Sequence, residues 1–266
     1  MTADLLDQAG SPVVVIFTAL LGAIIGSFLN VCILRWPADE SVVRPASRCP
    51  RCGRGLAWYD NVPIVSWLVL RGKCRGCALP ISPMYPLVEL GTAIIWGWLG
   101  ARHGLSVEML AGATFGTILL GIALTDAREM IIPDEFSVGG LVLGLGFSLT
   151  RGWPGMEQAV LGAAAGFTLV YLIREAGTWW LKQEAMGGGD MMMMAMIGAF
   201  LGWGGVLATV MIGAVLGLMV FGPVALLRRD LKIQLPFGVF LAAAAGIVYA
   251  AGPVLFRWYQ AYLGLG

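Results

Sequence analysis

The chain alternates long apolar stretches with short polar breaks, showing neither the period of half-buried strands nor a one-sided helical stripe. Eight runs stand out, at 12–34, 84–101, 107–125, 135–150, 157–174, 190–203, 205–227 and 236–256. Each is apolar on all sides, which suits a helix surrounded by lipid or by other helices. Crossing the hydrocarbon core takes about 20 residues, and most of the runs approach that length. Those at 135–150 and 190–203 are short. Between the first two runs the rhythm stops, and residues 36–83 mix charged, aromatic and proline positions as a soluble segment does. The pattern predicts an all-α polytopic membrane protein with about eight transmembrane helices and one small insertion. Residues 1–35 form the first transmembrane helix, 36–83 the insertion and 84–266 the transmembrane core.

Composition agrees with a lipid setting. Hydrophobic residues make up 58% of the chain and charged residues 12%, at a mean hydropathy of +0.82. A soluble domain carries roughly twice that share of charge. The 38 glycines suit helices whose backbones approach closely in a bilayer. Asp4 and Asp7 stand where a secretory signal would carry Lys or Arg, and no small-residue cleavage site follows, so 12–34 reads as a retained span. Eight spans alternating from an external N-terminus put 14 of the 17 Lys and Arg residues inside, all but Arg102, Arg151 and Arg257. Cytoplasmic loops collect such residues. Both termini are therefore expected outside and 36–83 in the cytoplasm. The bilayer is an expected partner and nucleic acid is not.

The insertion contains CPRCG at 49–53 and KCRGC at 73–77. Each C-x-x-C pair offers two thiolates from one tight turn, and two such pairs read as a four-thiolate zinc site at Cys49, Cys52, Cys74 and Cys77. Two disulfides are the competing reading, which a reducing compartment disfavours. With no His or carboxylate in either pair, no coordination position stays open, so the expected metal is structural. Cys32 reads as a small packing residue in the first run, and His103 as an external loop residue.

Acidic residues at the ends of the runs carry the candidate chemistry. Asp39, Glu40 and Asp60 are expected to be solvated in the insertion. Glu89 enters the second run in MYPLVEL, Asp126 ends the third in GIALTDAREMIIPDEF, and Asp190 opens the sixth in AMGGGDMMMMAM. Taken alone, Asp190 reads as a helix cap, and so does Asp134 after Pro133. A cap does not account for Gly187, Gly188 and Gly189, a run that lets another chain approach the backbone. Two carboxylates in a partly dehydrated site can share one proton, one acting as base on water while the other donates to a scissile carbonyl. Asp126 and Asp134 are both candidates for the partner of Asp190. No G-x-S-x-G is present and the one histidine lies on the other side, so no nucleophilic triad competes.

GSFLNVCILRWP at 26–37, the two cysteine pairs, WYDNVPIVSWL at 58–68, YPLVEL at 85–90, LTDAREMIIPD at 124–134, GGGD at 187–190 with AMIGAFLGW after it, and LPFGVFLA at 235–242 together resemble the type IV prepilin peptidases. The resemblance implies a bifunctional enzyme of the bacterial inner membrane serving pili, type II secretion or both. It would cleave the basic leader of prepilins and pseudopilins after a glycine with an aspartate dyad. It would then N-methylate the new terminus with S-adenosylmethionine. By resemblance the dyad is Asp126 and Asp190, with Asp134 outside it and Gly187, Gly188 and Gly189 receiving substrate. Methyl transfer would belong to the first-run motif and the insertion. The cofactor is then expected near Gly26, Asn30, Arg35 and Glu89, although Asn30 and Arg35 read equally as groups that satisfy loop carbonyls.

The chain departs from the family pattern at Met192, where many members carry a lysine, and this changes the local field on Asp190. Met191 to Met194 read as lipid-facing or packing side chains. No G-x-G-x-x-G follows a strand, so an ordinary soluble cofactor fold is not expected. A proton or cation relay through Asp126, Asp190 and Glu89 is a second reading, weakened by the lack of an inverted repeat. A zinc-bearing scaffold is a third, which leaves the glycine loop unexplained.

Overall fold

The computed structural model describes residues 9–182, 187–228 and 236–262. Asp4, Asp7, Arg229 and Lys232, which entered the reading of the terminus and the charge balance, lie outside the described residues. In chain order the helices are α1 (Pro12–Arg35), the short α2 (Val65–Val69), α3 (Met84–His103), α4 (Val107–Glu129), α5 (Asp134–Leu149), α6 (Gly152–Leu181), α7 (Gly188–Arg228) and α8 (Phe237–Tyr262). Among the described residues extended pairing is limited to two isolated bridges, Arg48 with Gly55 and Lys73 with Pro80. The protein is an all-α polytopic membrane protein. Pro12–Ala38, Val107–Glu129, Gly152–Trp180 and Gly188–Pro223 are long and apolar enough to cross a bilayer, and Phe237–Gly252 is a shorter apolar helix.

All eight expected runs are helical. The sixth and seventh lie within α7, whose 41 residues would reach about 60 Å as one straight helix, twice the hydrocarbon thickness. The helix breaks at Gly202, where φ is 71° and ψ is 177°. A side chain would disfavour that conformation.

The chain forms two compact units, Met1–Thr117 and Ile118–Gly266. Their boundary falls inside α4 and groups α1 and α3 with the insertion, where the hydrophobic pattern alone put α3 with the C-terminal helices.

In the first unit α1 and α3 run antiparallel at close range. A Cβ on Gly22 would stand 2.6 Å from the Thr92 carbonyl oxygen, and one on Gly97 would stand 3.2 Å from Ala19 Cβ. Small residues let the backbones meet, and dispersion then replaces the hydrophobic drive that lipid does not supply. Buried hydroxyls turn back on their own helices, Thr18 Oγ1 donating to the Val14 carbonyl at 2.8 Å and Thr92 Oγ1 to that of Val88 at 2.9 Å. Residues 36–83 are held largely by side chains. Arg35 donates to the Ser41 and Pro45 carbonyls, each at 2.8 Å. The Trp67 indole donates to the Ile81 carbonyl. Asp60 is not solvated as expected: its side chain is 7% exposed and takes the Arg75 Nε–H at 2.8 Å. Arg75 also lies over the Tyr59 ring, so the cation that pairs with the carboxylate is itself placed by an aromatic face.

In the second unit the 188–201 part of α7 packs parallel to α5, through Gly140 beside Met196 and Gly144 beside Phe200, and antiparallel to α6. Gly162 meets Gly198, and Gly166 meets the Met194 backbone, at distances that exclude any side chain. The 203–228 part packs on α8, with Gly213 against Leu241 and Phe221 edge-on to Phe240 at 5.7 Å. Met193 and Met194, like Met196 after them, are fully buried, so packing holds for these two of the run, while Met191 and Met192 are half-buried. The unbranched thioether fills the irregular space that glycine contacts leave.

Candidate active sites

The second unit gathers a pair of carboxylates. Asp126 stands in the last turn of α4 and is 5% exposed; Asp190 stands in the first turn of α7 and is 9% exposed. Sixty-four positions apart in the sequence, they lie within electrostatic reach of each other. Asp126 Oδ2 accepts the Val239 N–H at 3.0 Å, and the Gly238 N–H also points to it. These amides belong to the first turn of α8, where backbone donors have no helical partner and the helix dipole presents its positive end. Asp190 accepts the Gly187 N–H. An acid three residues into a helix that reaches back to the preceding amide is half of a capping box. Asp190 therefore does cap its helix, and from the same position it also meets Asp126.

The loop after α4 closes the site. Ile132 lies under Gly189 and Gly238: a Cβ on Gly189 would stand 2.9 Å from Ile132 Cβ, and one on Gly238 would stand 2.9 Å from both Ile132 Cδ1 and Asp126 Oδ2. A Cβ on Gly187 would come 3.6 Å from Asp190 Oδ2, whereas Gly188 has open space where a side chain would be. Asp134 is exposed in the first turn of α5, follows Pro133 as the N-cap, and no side chain caps that helix. The expectation that Asp134 caps α5 is thus corrected: it is one residue too far into the helix. The roles of Gly238, Val239 and Ile132 were not assigned from the sequence. The signal lay in LPFGVFLA, where Pro236 and Gly238 at a helix start mark an amide-rich turn open to close approach.

The first unit carries a second site. The Sγ atoms of Cys49, Cys52, Cys74 and Cys77 all lie within 4.8 Å of one another, and all five cysteines are free thiols, so the disulfide reading fails. Zinc–sulfur bonds of about 2.3 Å in a tetrahedron need sulfurs about 3.8 Å apart, and the cluster fits zinc. The two knuckles repeat one hydrogen-bond pattern. Gly53 N–H reaches the Cys49 carbonyl as Ala78 N–H reaches that of Cys74, and Cys49 N–H reaches Arg54 as Cys74 N–H reaches Leu79. The residue after each pair is left-handed, Gly53 at φ 72° and Ala78 at φ 57°. Amides of Cys77 and Gly76 hold the Cys74 thiol down at about 6, which favours the thiolate that a metal requires.

Beside the cluster lies a cavity of about 740 Å³, walled by Cys49, Cys74, Asn30, Arg35, Trp67 and Glu89 among others. Three of the four residues expected near a methyl donor thus share one cavity. The fourth, Gly26, does not line it; it meets Thr92 and the Glu89 backbone where α1 crosses α3. Arg35 has the loop-carbonyl partners anticipated for a structural role, while Asn30 Nδ2 donates at 3.0 Å to the Tyr85 carbonyl in the first turn of α3. Glu89 Oε2 accepts the Ile64 N–H at 2.6 Å.

Residues 20–103 match the bacterial peptidase A24 N-terminal domain, and residues 113–222 match the type IV leader peptidase family. The chain is 40% identical over 223 residues to the prepilin leader peptidase/N-methyltransferase of Myxococcus xanthus, covering 82% of this chain and 67% of that protein. It is 34% identical over 265 residues to the protein of the same description from Aeromonas hydrophila, covering 90% and 91%. With that of Neisseria gonorrhoeae it shares 32% over 272 residues, covering 93% and 94%. No solved structure matches the chain.

Proposed function

We propose a two-site division of labour for this chain, which belongs to the type IV leader peptidase family and is an endopeptidase and N-methyltransferase acting on prepilins. Leader cleavage is assigned to Asp126 and Asp190. The observation that carries this is their meeting, both buried, from opposite ends of two helices, with the amide-rich turn of α8 on one and the glycine loop on the other. One carboxylate takes a proton from water while the other, protonated, donates to the scissile carbonyl, the shared proton titrating as a property of the pair. The open space at Gly188 leaves room for an extended substrate backbone to reach water and carboxylates together.

Methyl transfer is assigned to the first unit. S-adenosylmethionine supplies an electrophilic methyl group when bound, and the cavity of about 740 Å³ is roomy enough for a ligand of that size. The zinc-fitting cluster forms part of its wall, so the metal's work is to fix that wall. Orientation follows from the positive-inside charge balance: residues 36–83 in the cytoplasm, both termini outside, in the bacterial inner membrane. Prepilins and pseudopilins with basic leaders suit that arrangement, since the leader stays among the cytoplasmic loops while the hydrophobic helix stays in lipid.

The test is Asp126→Asn and Asp190→Asn, singly and together, assayed by mass spectrometry on a prepilin. Each single change should lower cleavage by several orders of magnitude, and the double should be no worse, because either disables the unit. Methylation of a pre-cut substrate should survive. Normal cleavage by Asp126→Asn would remove it from the dyad.

A further inference from the structure

Glu89 stands in the wall of the first unit's cavity, and among the described residues no cation pairs with it. It is 8% exposed. Its partners are neutral, the Ile64 N–H on Oε2 and the Ser27 side chain. Five arginines line the same cavity, and among the described residues none forms an ion pair with Glu89: Arg35 is engaged on loop carbonyls, Arg75 on Asp60, and Arg48, Arg51 and Arg54 flank the first cysteine pair. A buried carboxylate with no counter-charge works against folding, so its presence calls for a partner that arrives.

A second observation concerns the chain that holds it. Ile64 has φ 61° and ψ −50°, a conformation rarely taken by a β-branched residue. It closes a three-residue turn in which the Val65 N–H reaches the Pro63 carbonyl at 2.5 Å. That turn aims the Ile64 N–H at Glu89. Backbone strain of this kind persists where surrounding structure imposes it, and it gathers at binding and reaction sites.

We propose that Glu89 binds the α-ammonium of the cut substrate and takes its proton ahead of methyl transfer, which rests on the assignment of this cavity to the methyltransferase. Two cations meet in such a reaction, the donor's sulfonium and the acceptor's ammonium. The sulfonium loses its charge as the methyl leaves, so a fixed anion against it would hold the starting state and slow the step. The ammonium must instead lose a proton before its nitrogen can react, and an adjacent carboxylate provides for that. One N–H bond breaks, its proton passing to Glu89; the freed electron pair forms the N–C bond. The C–S bond breaks with its electrons left on sulfur, and the donor leaves as a neutral thioether. The depth fits as well. Glu89 stands in the second turn of α3, at the end joined to the insertion, and the new terminus of a cut prepilin stands where its hydrophobic helix begins.

Glu89→Gln keeps an oxygen for the Ile64 N–H while removing the charge and the proton acceptor. The full chain in nanodiscs is tested with a pre-cut prepilin peptide whose N-terminus is free or acetylated. The unchanged protein should bind the free form at least about 10-fold more tightly. Glu89→Gln should lose that preference and methylate at least about 100-fold more slowly, with leader cleavage intact as the check on folding. Glu89→Asp should regain part of the preference, which a merely structural role would not give. Wild-type methylation by Glu89→Gln would overturn the proposal and leave the cavity assignment standing. An unchanged preference with weakened binding of S-adenosylmethionine, and S-adenosylhomocysteine bound as before, would also overturn it, since Glu89 would then face the sulfonium. Filling the cavity with Ser47→Trp tests the assignment itself: methylation that continues there would refute it whatever Glu89 does.

Discussion

Gly238→Ala adds one methyl group at the start of α8. The new Cβ would stand 2.9 Å from Asp126 Oδ2 and 2.9 Å from Ile132 Cδ1, where ordinary contact begins at 3.4 Å. The carboxylate and the first turn of α8 must therefore part by roughly half an ångström, and a misplacement of about 1 Å can cost about 100-fold in rate. The same movement lengthens the 3.0 Å hydrogen bond from the Val239 N–H. A hydrogen bond to a charged group contributes about 1.5–3 kcal/mol, and about 1.4 kcal/mol is tenfold in rate. Cleavage should fall by about 10-fold to 100-fold.

Stability should change much less. Crowding costs about 1–3 kcal/mol, but alanine in place of glycine regains up to about 1 kcal/mol in a helix, and Ile132 borders a loop that can yield. Gly146→Ala is the matched control, since nothing lies within 4 Å of its Cβ position on α5. It should leave cleavage unchanged and raise the melting temperature slightly. The assay is initial-rate cleavage of a prepilin with both variants at equal folded concentration, alongside methylation of pre-cut substrate. Wild-type cleavage by Gly238→Ala would show that the amide turn does not position Asp126. An equal loss of methylation would trace the defect to the fold.

Purified protein should contain about one zinc per chain by elemental analysis, with serine at Cys49, Cys52, Cys74 or Cys77 loosening it and reducing methylation more than cleavage; metal-free protein of full stability would contradict this. Accessibility tags should report residues 36–83 as cytoplasmic and both termini as external, and a cytoplasmic C-terminus would mean a miscounted span near Gly202. Gly198→Leu should abolish folding, because its Cβ meets the Gly162 backbone at a distance no rotamer relieves. Asp134→Asn should stay within about 0.5 kcal/mol of the parent by thermal melting and cleave normally, since no side chain caps α5.

The legibility of this molecule in its sequence follows the range of the interactions concerned. Helix existence was legible because a run that is apolar on all sides leaves the backbone no way in lipid to satisfy its polar groups except internally. The cysteine cluster was legible because each C-x-x-C pair folds locally and only one joining step, over 21 residues, remained. The grouping of α1 and α3 with the insertion was not, since it depends on facing small residues whose partners cannot be paired by inspection. Asp60 shows the same limit. A carboxylate in a polar segment reads as solvated until Arg75, 15 residues on, is seen to cover it.

Asp126 and Asp190 mark where local rules and function diverge. Asp190 by itself satisfies a helix-end rule, whereas Asp126, an acid in the last turn of α4, runs against the dipole of its own helix, and capping geometry alone gives no reason to join them. What joins them is a backbone that omits side chains at Gly189 and Gly238, so that Ile132 from the loop after α4 can sit against both and bring three helix ends to one point. A glycine written into a helix start weakens that helix by up to about 1 kcal/mol relative to alanine. Two of them where α7 and α8 begin are thus a local loss that no helix would select for itself, offset in part by the hydrogen bond of the amide turn to Asp126, while the approach of Asp190 to Asp126 adds a like-charge cost. The same logic reads Ile64, strained in the first unit so that its N–H faces Glu89. In both units the backbone gives up local preference at the point where a buried carboxylate must be held.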